Sequence, residues 1–474
     1  MALELERQPD FIQDNRATDE VVAPGIARRV IGLAWPVIAQ NLLETAVGVV
    51  DTLLVARLGA VAIAGVGTAL QVMFFLLAIL SAVTIGASIM VAHAVGAGDW
   101  PGARRLAKQS LVWGLLAALP LALVGALGAH WLIGAFGVAP DVAAVGTGYL
   151  RITMIVLPAL LLVFVAGAVL RGAGDTRTPM LIGLLSNVIN AVLAWGLIYG
   201  HLGLPALGAD GSAWAAAAGR ITGAVVLIAV LVRGRDGLAL RGWTDWRPHF
   251  ASVRRVLTLG VPAAIEQTMT SAAFTALTLI VATLGTRELA TQRITFNALS
   301  VAFLPGFGFA IAAGTLVGQS LGASRPLEAR AAARSAAAWA SGWSAMMGAI
   351  FLAGAPWIMD AFTDDPEVIA LGARSLRALA LAQPMWSQLF VWSGALRGAG
   401  NTRFPLIVNT LGVWAVVALS LIATTWFHAD LAVLWAFFIP CSAVNAFVVW
   451  LGFRRDKLRN LHGETAPALE LAVG

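Results

Sequence analysis

Three carboxylates frame the chemistry open to this chain. Of its 25 acidic residues, Glu44, Asp51 and Glu266 alone lie deep within long apolar runs. A charged group at the centre of a bilayer costs about 2.5–3.5 kcal/mol on insertion scales, so it persists when paired, protonated or turned to a water-filled cavity. Gln40, Glu44, Gly48 and Asp51 follow helical spacing and share one face of the first apolar run, with Asn41 and Thr45 beside them. A polar stripe on a helix in lipid must face protein or water. It suits binding and release of a proton or small cation; its other use is hydrogen bonding between helices. Asn187 and Asn190, three apart on the fifth run, can donate to a carboxylate on the first or clamp helices together. Glu266, one turn past Pro262 and followed by Gln267 and Thr270, marks a second protonatable or substrate-facing position.

The elements that must hold these groups are membrane helices. Hydrophobic residues make up 59% of the chain and charged residues 12%, about half the charged share of a soluble domain. Apolar runs of about 20 residues, enough to cross a hydrocarbon core, separate short charged clusters. They predict twelve spans, at 30–54, 61–95, 106–136, 142–170, 178–200, 212–232, 256–283, 288–318, 331–360, 367–396, 404–427 and 431–453. With the N-terminus inside, 24 of the 31 basic residues fall in inside segments, Arg171 and Arg397 among them, and only Arg57 and Arg287 in outside loops. That asymmetry places both termini in the cytoplasm. Arg151, Arg220, Arg293, Arg374 and Arg377 fall within spans. The expected organisation is a tail at 1–27, a six-helix lobe at 28–232, a basic Trp-containing linker at 233–255 suited to the headgroup surface, a second lobe at 256–455 and a tail at 456–474.

The second half repeats the first at an offset of 226 residues. Pro36 falls on Pro262, Arg151 on Arg377, and Pro158 on Pro384. Leu170-Arg171-Gly172-Ala173-Gly174 falls on Leu396-Arg397-Gly398-Ala399-Gly400, and Gln40 on Glu266. Six spans return the chain to its starting side, so the repeats are parallel, and such pairs place a substrate pathway between two bundles that rock against each other. The paired prolines predict paired bends. The twin R-G-A-G-(Asp/Asn)-T-R-x-P segments read as tight turns with orienting charge; a phosphate site is the alternative.

Enzyme chemistry fails on inventory. The six histidines are dispersed without metal-ligand spacing. Lys108 and Lys457 are the only lysines and neither completes a P-loop, and no G-x-S-x-G is present. Cys441 stands alone, so no internal disulfide forms. The acidic first 27 residues lack the basic and apolar regions of a secretion signal. The positive charge lies between spans, which argues against nucleic acid. Transport driven by an ion gradient is what remains.

The chain resembles the multidrug and toxic compound extrusion (MATE) family over roughly residues 28–455. The residues that carry the likeness are Pro36 with Val50-Asp51-Thr52, the run Leu259–Gln267 (LGVPAAIEQ), Val317–Ala323 (VGQSLGA) and Leu396–Arg403 (LRGAGNTR). The resemblance implies an all-α integral membrane protein of twelve helices in two lobes. It also implies export of cationic or amphiphilic small molecules in exchange for protons or sodium, with Asp51 as the coupling aspartate. Two positions depart from the pattern: Ala194 stands where one branch has a second aspartate after Asn190, and Thr270 stands where another has a glutamate. The expected coupling group is Asp51 with Glu44, Asn187 and Asn190; Glu266, Gln267, Thr270 and Gln40 form the expected substrate or second coupling group. No cofactor or metal is expected beyond the coupling H+ or Na+. The expected setting is a bacterial inner (plasma) membrane, as a monomer. The alternatives are a flippase for lipid-linked precursors, which needs a basic cavity, and a non-transporting membrane scaffold.

Overall fold

The computed structural model describes residues 24–456 apart from 235, 236 and 243, so the expected tails lie largely outside the described residues. The first half forms α1 (Pro24–Ala56), α2 (Ala60–Gly96), α3 (Trp100–Leu127), the short α4 (Ala129–Gly134), α5 (Pro140–Ile155), α6 (Leu157–Ala173), α7 (Arg177–Tyr199) and α8 (Ala209–Arg233). The second forms α9 (Phe250–Leu284), α10 (Thr286–Gly322), α11 (Pro326–Asp360), α12 (Pro366–Gly398), α13 (Arg403–Phe427), the short α14 (Leu431–Ala436) and α15 (Phe438–Arg455). Among the described residues, ten segments are long and apolar enough to cross a membrane, and the bent pair α5–α6 makes an eleventh. The twelfth long element is α12. Arg374, Arg377, Gln383, Gln388 and Arg397 dilute its apolar character, and its surroundings are protein: Leu376, Leu379, Ala382 and Leu396 are fully buried.

The paired prolines act unequally. The single span expected at 142–170 is two helices, bent by 51° next to Pro158. Proline there removes an amide donor and crowds the carbonyl one turn back. Its counterpart Pro384 sits inside an unbroken α12, as Pro36 and Pro262 do inside α1 and α9. α9 also begins at Phe250, inside the expected linker. The linker is tied to the first lobe. Lys108 Nζ donates to the carbonyls of Arg241, Gly242 and Thr244, and Gln109 Nε2 to those of Asp245 and Arg247.

Each repeat lends the start of its first helix to the other. The first lobe's core runs from Val55 to Leu240, including Leu238 and Leu240 of the linker, and takes in Val256 of α9. Ile26, Val30, Leu33 and Ala34 of α1 pack with Phe309, Val317 and Leu396 of the second half. Val30 and Val256 are repeat-equivalent. The crossings are close: a Cβ on Gly260 of α9 would overlap the Ala82 backbone of α2, and one on Gly308 of α10 would crowd Ala34 of α1. The lobes therefore meet along α1–α10, α2–α9 and α2–α10.

Candidate functional site

The stripe on α1 opens on a cavity of about 420 Å³ within the first lobe. Gln40, Glu44, Gly48 and Asp51 line it from α1, and Asn187 and Asn190 face them from α7. Nothing lies within 4 Å of where a Gly48 Cβ would stand, so the cavity continues between Glu44 and Asp51. Tyr149 of α5, Arg171 of α6, Ser186 of α7, and Ser212 and Arg220 of α8 add to the polar part of the wall. Val47, Val55, Ile63, Val66, Leu70 and Leu160 supply the apolar part.

Asn190 Nδ2 donates to Asp51 Oδ2 at 3.0 Å, and the Tyr199 hydroxyl donates to the Leu54 carbonyl at 2.6 Å, which fixes α7 against α1. Asp51 Oδ1 is buried without a partner among the described residues, and so are Asn190 Oδ1 and Asn187 Nδ2. Buried polar atoms are ordinarily paired. Here carboxylate, amide oxygen and amide nitrogen offer donors and acceptors to a small guest. Gln40 Nε2 donates to Glu44 Oε1 at 3.0 Å. The hydroxyls of Thr45 and Thr52 are spent on their own helix, at the carbonyls of Asn41 and Gly48.

Glu266 belongs to a separate site in the second lobe. It is buried, and its Oε1 accepts from Arg397 Nη2 and from Asn409 Nδ2, each at 2.6 Å. Asn409 also donates to Ser393 Oγ at 3.1 Å. Thr270, one turn on, is half-buried, whereas Gln267 is exposed. The four residues expected as one substrate group are thus not brought together. Gln40 serves Glu44 in the first lobe, and its repeat-equivalent Glu266 pairs with Arg397 in the second.

The arginines of the twin turns point in two directions. Gly174 and Gly400 adopt left-handed backbone (φ 96° and 83°) that closes α6 and α12, as tight turns require. Arg177 and Arg403 are exposed. Arg171 and Arg397 instead turn back into the protein, Arg171 with its guanidinium beside Gly167 and Arg397 onto Glu266. Both reach a second cavity of about 160 Å³ between the lobes, with Thr84, Ser88 and Thr315. Sequence reasoning missed this direction, and it missed Tyr149 and Asn409 as partners.

The profile of the MatE family matches residues 36–195 and 262–422, two segments that start at the repeat-equivalent prolines Pro36 and Pro262. The chain belongs to the MatE family. A multidrug resistance protein NorM of Burkholderia vietnamiensis is 31% identical over 405 residues, covering 83% of this chain and 86% of that one. A probable multidrug resistance protein NorM of Thermotoga maritima is 29% identical over 414 residues, covering 87% and 89%. Multidrug resistance protein PmpM of Pseudomonas aeruginosa is 29% identical over 420 residues, covering 85% of each. Among solved structures, an outward-facing multidrug resistance MATE family transporter aligns with TM-score 0.85 at 22% identity over 90% of this chain and 95% of that one. A MOP superfamily transporter of Pyrococcus furiosus aligns with TM-score 0.84 at 21% identity over the same shares. The chain is therefore a multi-pass membrane protein of the multidrug efflux transporter family, with the two-lobed fold.

Proposed function

We propose that this MatE member is a secondary antiporter that exports organic cations or amphiphiles in exchange for protons or sodium, with Asp51 as the coupling group. The observation that carries the reading is Asp51 itself: a carboxylate inside a drug-sized cavity, with one oxygen held by Asn190 and the other without a partner among the described residues. A proton or small cation on that oxygen removes the charge that otherwise favours a basic guest. Coupling ion and substrate then compete for one site, which is the requirement for exchange.

The repeat supplies the two states. Reciprocal packing of α1 on α10 and α9 on α2 gives two lobes that rock about a shared seam, and occupancy of Asp51 biases the equilibrium only if the two states hold the ion differently. In this reading the protein works as a monomer in a bacterial inner membrane, with both termini cytoplasmic. A flippase needs a markedly basic chamber; the first-lobe cavity sets Arg171 and Arg220 against Glu44 and Asp51, so its wall is balanced in charge, while Arg374 pairs outward with Asp430 at 3.0 Å.

The test is efflux of a fluorescent cationic dye from energised inverted vesicles, with pH and sodium gradients imposed separately. Wild-type protein moves dye under one of them, and Asp51→Asn, present at wild-type level, does not. Full transport by Asp51→Asn removes Asp51 from the mechanism.

A further inference from the structure

Lysine is rare in this chain, and one of its two lysines is buried. Among 31 basic residues, only Lys108 and Lys457 are lysines. Lys108 stands in the third turn of α3 with 3% of its surface exposed, next to Gln109 with 2%. Burying an ammonium is costly unless its hydrogens are taken. Here the three donors of Nζ meet the carbonyls of Arg241, Gly242 and Thr244 at 3.2, 3.2 and 2.8 Å. The Trp246 ring lies 5.6 Å away, within cation–π reach. Donors radiating from one atom suit converging carbonyls, and a planar guanidinium does not. That geometry accounts for lysine at a place where the chain otherwise uses arginine.

The loop is shaped to supply those carbonyls. Gly242 and Asp245 adopt left-handed backbone (φ 81° and 64°), which residues with side chains disfavour. Gln109 holds the far side of the loop. Its Nε2 donates to the Asp245 and Arg247 carbonyls, each at 2.7 Å, and its Oε1 accepts at 2.8 Å from the amide of His249, the residue that caps α9. Toward α8, Arg241 Nη2 donates to the Arg233 carbonyl at 2.9 Å and the Leu240 amide to the Leu231 carbonyl at 2.8 Å. The connection between the lobes is thus fastened to the first lobe from the end of α8 to the start of α9. The duplication does not account for it, because Arg334 and Ser335 stand at the positions equivalent to Lys108 and Gln109.

We propose that Lys108 is a built-in ammonium template that folds the linker into a rigid strut, so that the first turns of α9 travel with the first lobe and rocking acts on α9 directly. A flexible linker would take up that movement as slack. The same turns of α9 already rest on the first lobe through Val256 and through Gly260 against Ala82. The consequence for transport rests on the export reading; the template stands without it.

The first test is trypsin digestion of the purified full-length protein. Arg241 is exposed, and the carbonyl that trypsin must attack there is one that Lys108 holds. Cleavage between Arg241 and Gly242, followed by mass spectrometry, is expected about tenfold or more faster in Lys108→Met and Lys108→Ala than in wild type, the factor that hydrogen bonds to a charged group supply against local opening. Lys108→Arg falls with these two. Added n-propylammonium, which fits the space left by the truncated side chain, restores protection to Lys108→Ala; tetramethylammonium, which donates no hydrogen bond, does not. Lys108→Met or Lys108→Arg as resistant as wild type overturns the template, and so does equal rescue by both cations.

The second test is transport of a cationic dye in proteoliposomes. Lys108→Met is expected to bind the dye with wild-type affinity and to move it about tenfold more slowly, as a change confined to a conformational step does. A Gly-Ser-Gly-Ser insertion between His249 and Phe250 leaves Lys108 and its carbonyls in place but adds slack. It is expected to keep the trypsin resistance and lose transport to the same extent, and it decides the matter if Lys108→Met does not fold. Wild-type rates in the insertion variant overturn the strut. If the wild-type protein moves no dye under either gradient, the export reading falls and takes the transport consequence with it, while the trypsin and alkylammonium results still decide the template.

Discussion

His93 and Gln319 occupy the same position in the two repeats, and each reaches the equivalent glycine carbonyl of the other. His93 Nε2 lies 2.8 Å from the Gly398 oxygen, and Gln319 Nε2 donates to the Gly172 oxygen at 2.9 Å. Around them α2 and α10 cross with no room for a Cβ: one on Gly96 would overlap the Gln319 backbone, and one on Gly322 the His93 backbone. The arrangement is a reciprocal latch at the end of the bundle that carries the R-G-A-G turns. A neutral hydrogen bond contributes about 0.5–1.5 kcal/mol net, and each orphaned buried carbonyl costs about 1–3 kcal/mol. The double variant His93→Ala/Gln319→Ala therefore shifts the lobes about tenfold or more toward separation at this end. The measurement is maleimide labelling of a cysteine introduced at Ala92, which is fully buried, in a Cys441→Ser background. Unchanged labelling in the double variant would show that packing, not these bonds, holds the seam.

Locking the same seam tests whether it must open. Ala92 and Gly318 are repeat-equivalent, and a Cβ on Gly318 would stand 3.1 Å from that of Ala92. That is slightly inside the usual Cβ–Cβ range of a disulfide, about 3.5–4.5 Å, and a small adjustment brings it in. In Ala92→Cys/Gly318→Cys with Cys441→Ser, oxidation is expected to form the cross-link and stop dye efflux, and reductant to restore it. Transport that continues at full rate with the cross-link complete, by gel mobility, rules out rocking about this seam.

The Asp51–Asn190 bond predicts a graded series. Asn190→Ala removes the donor to Asp51 Oδ2 and leaves the carboxylate to water, a loss of about 1.5–3 kcal/mol for a bond to a charged group. Transport at limiting dye is expected to fall about tenfold, with Asp51→Asn abolishing it. Asn187→Ala, which removes an amide whose nitrogen has no partner among the described residues, has a smaller effect. A loss in Asn187→Ala equal to that in Asn190→Ala would contradict the ordering.

Where these groups sit was legible to different depths. The α1 stripe could be read because helical spacing gathers Gln40, Glu44, Gly48 and Asp51 on one side, and lipid forbids that side to face outward. The duplication could be read because the twin R-G-A-G segments are too specific for coincidence. The direction of Arg171 and Arg397 could not. A long cationic side chain at a span end reaches water or folds back with equal ease, and Glu266 and the Gly167 gap decide the matter only in three dimensions. The exchange of first turns between the lobes was hidden because Val30 and Val256 are equally apolar against either core. Pro158 breaks its helix while Pro384 does not, and α12, buried among α10, α11 and α15, gives the proline no space to open. Nothing in the local sequence separates these two outcomes.

The Glu266–Arg397 pair separates a coupling role for Glu266 from a structural one. Glu266 is buried and Arg397 mostly so, with side chains 7% and 29% exposed. Removing one member of a buried pair leaves an uncompensated charge and costs about 3–5 kcal/mol, whereas replacing both by neutral groups is often tolerated. Glu266→Gln is therefore expected to lower the thermal unfolding temperature of the purified protein and its level in the membrane. Glu266→Gln/Arg397→Gln recovers most of both. Transport per folded molecule should follow the same order, low in the single variant only to the extent that the protein is lost. A Glu266→Gln protein that unfolds at the wild-type temperature yet transports nothing would give Glu266 a part in ion coupling or substrate binding. Recovery of function in the double variant instead assigns it to holding α9 against α12 and α13.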